Sequence, residues 1–156
     1  MNYTPQNISF LASNEVFVYG ANEAGIHGAG AAKTAMKWGA KDREYGFNGQ
    51  TYGIPTKDKQ IKTLLIHEIK VHVDEFLIFA TEHPQYVFLV TLIGCGLANH
   101  KPQKIAPLFS RALGMENVVL PKEFVLNAAL LLDSKAQSVF KARASTIRAS
   151  PFPRRN

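Results

Sequence analysis

The stretch Val16-Phe17-Val18-Tyr19-Gly20-Ala21-Asn22-Glu23-Ala24-Gly25-Ile26-His27-Gly28-Ala29-Gly30 runs from an apolar strand into a glycine-rich loop, and Ala31-Ala32-Lys33-Thr34-Ala35-Met36-Lys37 then opens an alanine-rich helix. A strand feeding such a loop gathers unpaired backbone N–H groups at the positive end of a helix, a ready site for a phosphate or diphosphate. The chain therefore reads first as a binder of a nucleotide or nucleotide sugar. Spacing narrows the kind of loop. Gly25 and Gly30 have the gap of a P-loop, but Ala31 and Ala32 push Lys33 and Thr34 two residues onward, about 200° round the helix from where a phosphate-reaching lysine belongs. The dinucleotide fingerprint also fails, because Gly25-x-x-Gly28-x-Gly30 inverts its order. The alternative is that these glycines serve only a tight turn and close helix packing.

Working outward, residues 30–41 favour helix, with Ala32, Ala35 and Met36 on one face and Gly39 at its end. Residues 42–51 read as loop, and Thr51-Tyr52-Gly53-Ile54-Pro55 as a short extended piece, since proline biases the residue before it away from helix. Ile66, Ile69, Val73, Phe76, Leu77 and Ala80 recur at helical spacing up to Pro84. His67 and His72 within that helix are five apart rather than four, about 140° out of line, so no metal site is expected there. Tyr86 to Ile93 is an almost unbroken apolar run, expected as a strand buried on both faces and central in the sheet. It ends in a second glycine loop, Gly94-Cys95-Gly96-Leu97-Ala98-Asn99-His100-Lys101-Pro102, leading to a helix with Ile105, Leu108, Phe109 and Ala112 as its stripe. Asn117 to Pro121 reads as another strand and Glu123 to Arg143 as a final helix. Two loops of one strand-to-helix kind reinforce each other, because open α/β sheets bind ligands beyond the carboxyl ends of their strands.

With 156 residues, 46% hydrophobic and 19% charged, the chain suits one globular domain. It has neither an apolar run of about 20 residues for a membrane span nor a signal-type N-terminus, so a cytoplasmic protein without a membrane partner is expected. Cys95 is the only cysteine, which excludes an intrachain disulfide and a cysteine metal cluster. The net charge of +6 lies wholly beyond Asp133, where Lys135, Lys141, Arg143, Arg148, Arg154 and Arg155 meet no acid. Residues 149–156 are expected to be a disordered basic tail, either a solvated appendage or a contact for nucleic acid.

The loops together resemble the macro domain family, whose members bind ADP-ribose and in some branches cleave it from proteins or metabolites. His27-Gly28-Ala29-Gly30-Ala31-Ala32, with Lys37-Trp38-Gly39 behind, resembles the family's glycine-rich loop and helix. Ile93-Gly94-Cys95-Gly96-Leu97 is similar to the diphosphate-wrapping loop of the terminal ADP-ribose protein glycohydrolase branch, and Tyr52-Gly53-Ile54-Pro55-Thr56-Lys57 resembles that branch's catalytic-lysine segment. The likeness spans residues 15–121 and implies a three-layer α/β domain of macro type over residues 1–148, with a mixed, largely parallel sheet between helices and a helical extension from residue 122. It implies Lys57 as catalytic residue, and His27, Gly28, Ala29, Gly30, Ala31, Gly94, Cys95, Gly96, Leu97 and Ala98 as ligand-binding residues. Asn22 falls where other branches place an asparagine beside the distal ribose; the alternative is a turn residue bonding its own backbone. Cys95 reads either as part of the loop's binding set or as a small apolar filler.

Ala98 stands where the glycohydrolase branch carries a catalytic aspartate. This departure favours a reader or sequestering protein for ADP-ribose, or a related NAD-derived nucleotide, over a hydrolase or a phosphatase acting on its 1″-phosphate. An ADP-ribosylated protein is a further expected partner, and no cofactor is expected. A nucleic-acid accessory role through the basic tail is the third reading, disfavoured by the lack of interleaved aromatics.

Overall fold

Alternation governs the first strand. In β1 (Glu15–Asn22) Val16 and Val18 join one hydrophobic cluster while Phe17, Tyr19 and Ala21 join a second, the two-residue period of a strand buried on both faces. The computed structural model describes residues 2–148, and the expected basic tail, 149–156, lies outside the described residues.

Five strands form one sheet in the order β2 (Gly46–Asn48), β3 (Thr51–Lys57), β1, β4 (Val87–Val90), β5 (Val118–Val119). Pairing is parallel from β3 through β1 and β4 to β5, and antiparallel between β2 and β3. Helix α1 (Gly30–Ala35) packs with Leu11 and Ala40 on one face. The other face carries α2 (Ile66–Glu82), α3 (Pro102–Ile105) with the 3-10 segment Ala106–Gly114, and the root of α4 (Lys122–Arg148). The fold is a three-layer α/β domain with a mixed, mostly parallel sheet. Among the described residues, no helix is long and apolar enough to cross a membrane.

Helix α2 buries Ile69, Val73, Phe76, Leu77 and Ala80, the stripe its spacing predicts. Elsewhere the elements are shorter or tighter than expected. Helix α1 gives way at Met36 to a 3-10 turn that closes on Gly39 at φ 104°, and Met36 is exposed while Ala32 and Ala35 are buried. Strand β4 covers only four residues, because β5 offers a two-residue partner and Ile93 N–H turns back onto the Thr91 carbonyl. The stripe Ile105, Phe109, Ala112 is buried, yet mostly on a 3-10 segment containing Pro107, whose missing N–H interrupts an α ladder. Residues 46–48, read as loop, form β2, the outer arm of a hairpin turning at Gly49, where φ is 57°. Central place in the sheet belongs to β1, with β4 interior beside it. Helix α4 is rooted by Phe124 and Ala128, and every residue from Leu132 to Ser145 is exposed.

Candidate functional site

Topology selects one place for a ligand. From β1 the chain passes through α1 to β3 on one side, whereas β4 lies on the other side of β1 and leads on to β5. The chain thus departs in opposite directions from the carboxyl ends of two adjacent parallel strands, and a crevice opens at such a switch point. Both glycine loops stand there, one after β1 and one after β4, around a cleft of about 350 Å³.

The first loop is held by its own polar groups. The Asn22 side-chain amide donates to the Ile26 carbonyl at 2.8 Å and its oxygen accepts the Ile26 N–H at 3.0 Å. Asn22 therefore does what a turn residue does, yet it lines the cleft, and an amide has a second hydrogen and a second lone pair to offer. Gly25, at φ 68°, donates to the Asn22 carbonyl while its own carbonyl accepts the Arg43 N–H at 2.9 Å. His27 does not line the cleft. Its Nε2 donates to the Lys41 carbonyl at 2.8 Å and its ring meets Tyr19 edge-on, so it braces the loop from behind.

Gly28, Ala29, Gly30 and Ala31 form one wall of the cleft and Gly94, Gly96, Leu97 and Ala98 another. Among the described residues, the N–H groups of Gly28 to Ala31 and of Gly96 to Ala98 donate to no group of the chain. Gly30 and Gly94 have backbone reasons to be glycine, with φ of 62° and 74°. Gly28 and Gly96 have none of that kind: their φ is ordinary and an added Cβ would meet nothing within 4 Å. Lys33, excluded above as a phosphate ligand, is exposed outside the cleft lining.

Cys95 also stays out of this cleft, its thiol directed to the Ile93 carbonyl at 3.5 Å. Burial, and then the nearby Glu123 carboxylate, push the thiol up to about 11. At neutral pH it carries its proton and is a poor nucleophile. Lys57 lines the cleft at the end of β3, where the β1–β3 register slips and its carbonyl accepts the Glu23 N–H. The neighbouring Asp58 carboxylate accepts the N–H groups of Gln60 and Lys62, both at 2.9 Å, and so closes its own turn.

A second cavity of about 820 Å³ shares Ala31, Thr91, Leu92 and Gly96 with the first. Tyr3 to Ser9, Phe17, Thr34, Lys37, Cys95 and the start of α4 complete it. The N-terminal segment is pinned there by Thr4, whose N–H donates to the Leu120 carbonyl and whose hydroxyl donates to that of Val119. No residue pattern in the sequence announces that pairing. No protein-family profile, curated protein or solved structure matches the chain.

Proposed function

We propose that the protein binds ADP-ribose or a related NAD-derived nucleotide, with the diphosphate at the neck where the two chambers meet. That neck, walled by unpartnered N–H groups of both glycine loops and shared through Ala31 and Gly96, is the observation that carries the reading. A diphosphate joining two bulky ends has this shape. The smaller chamber, which holds Asn22 and Lys57, takes the distal ribose; the larger, lined by Tyr3 and Phe17, takes the adenosine. Charge agrees, because among the described residues Lys57 is the only ionisable side chain lining the first chamber and Lys37 and Lys122 outnumber Glu123 in the second. Millimolar ADP-ribose is expected to raise the melting temperature, since a ligand at about 100 times its Kd adds about 2.7 kcal/mol. A melting curve indifferent to it sinks the proposal.

Sequestration is favoured over hydrolysis because Ala98, buried in the cleft wall, supplies no carboxylate beside Lys57. On a glutamate-linked ADP-ribosylated substrate the wild type is expected to release nothing. Ala98→Asp, which restores the missing acid, is expected to gain release, and Lys57→Ala in that background to lose it. Release by wild type, unchanged in Lys57→Ala, would make the protein a hydrolase with a different reactive group.

A further inference from the structure

Four large, exposed apolar side chains line the first chamber: Leu92, after β4, is shared with the second, while Ile26 after β1, Ile61 after β3 and Leu97 after β4 belong to the first alone. Ile61 is the informative one. Its φ is 63°, and among the described residues it is the only β-branched residue at positive φ. The left-handed region crowds Cβ against the following carbonyl, a conformation that glycine adopts freely and asparagine tolerates.

The turn itself does not require isoleucine. Asp58 organises it, accepting the Gln60 and Lys62 N–H groups on its carboxylate and the Ile61 N–H on its carbonyl. A glycine at residue 61 keeps every one of those bonds, because the side chain makes none. Nor does packing within the chain explain the residue: Ile61 is 41% exposed and joins neither hydrophobic cluster. An apolar side chain held in a strained conformation, with only partial burial and no place in the core in return, at the mouth of a cleft, is matched to something outside the chain.

We propose that Ile61 determines specificity for the ligand's far sugar, joining Ile26 and Leu97 in an apolar collar that closes the first chamber over a ribose. This rests on the reading of the cleft given above. The turn that carries Ile61 springs from Lys57, which pairs with Asn22, and Thr63 just beyond it donates to the Ala98 carbonyl. Ile26 and Ile61 therefore stand at the end of the cleft assigned to the distal ribose, and Leu97, next to Gly96 and with its side chain against Gly30, reaches over it from the neck. The collar's apolar side chains suit the C–H face of a furanose ring, while the ring's hydroxyls remain for the polar groups at the cleft's base.

The test compares calorimetric affinities for ADP-ribose and for ADP, which lacks the far sugar, in wild type, Ile61→Gly and Ile61→Val, together with their melting temperatures. Ile61→Gly is expected to melt about 3 °C higher, through relief of the left-handed strain. It is expected to bind ADP-ribose about tenfold more weakly through loss of apolar cover. Its affinity for ADP should be unchanged, and Ile61→Val should keep wild-type selectivity. Equal ADP-ribose affinity in Ile61→Gly and wild type overturns the assignment, as does a loss equal for both ligands. A wild type that binds neither ligand overturns the reading of the cleft and this assignment with it, an outcome distinct from either of those.

Discussion

Gly96→Phe is expected to abolish ADP-ribose binding while leaving the domain folded. Gly96 lines both chambers at their junction, is exposed and has an ordinary φ, and a Cβ there would meet nothing within 4 Å. The chain thus has room for a side chain that the ligand does not. A benzyl group fills the neck and blocks close approach of a diphosphate to the N–H groups of Gly96 to Ala98. The expected loss is at least about 100-fold in Kd, or about 2.7 kcal/mol. Gly114→Phe is the matching control, because Gly114 is likewise open but lines no chamber. Calorimetry and thermal melting on both variants check the prediction; if Gly96→Phe binds normally, the diphosphate is not at the neck.

Gly25→Ala is expected to do the reverse, damaging the fold from the same loop in which Gly28→Ala is silent. At Gly25 a Cβ would stand 2.3 Å from the Arg43 carbonyl carbon and the Glu44 nitrogen, and φ is 68°. Left-handed strain costs an alanine about 1–2 kcal/mol. Displacing the Arg43 segment breaks its 2.9 Å bond to the Gly25 carbonyl, about 1 kcal/mol more. The sum, about 2–3 kcal/mol, lowers the melting temperature by roughly 4–12 °C in a domain of this size. Gly28 has no such neighbour and its substitution should leave the melting temperature within about 2 °C. Equal melting of the two variants would show that the loop is not locked by Gly25.

These contrasts mark how far the sequence is legible. The order strand, glycine loop, helix, occurring twice, is visible because backbone geometry at Gly30 and Gly94 demands glycine and because β1 and β4 are apolar on both faces. The amphipathic α2 is visible for a similar reason: one helical period sorts buried from exposed. Strand β2 is not, since three residues in a charged stretch carry no period; Asn48-Gly49 ahead of an apolar run was the available signal. Nor can the sequence show on which side of a loop a side chain falls. His27 and Cys95 sit among glycines yet stay out of the first chamber, His27 turned onto Tyr19 and Cys95 turned to the Ile93 carbonyl on the side of the second cavity. The second chamber depends on a long-range clasp between Thr4 and the end of β5. Ile61 is conspicuous only once its φ is known.

The most direct measurement is calorimetric titration of the protein with ADP-ribose, ADP, NAD and cyclic ADP-ribose variants. One ADP-ribose per chain is predicted, bound more tightly than ADP because the chamber holding Asn22, Lys57 and Ile61 is then filled as well as the neck and the larger cavity. Absence of binding heat and of competition for every member of the series would contradict the account.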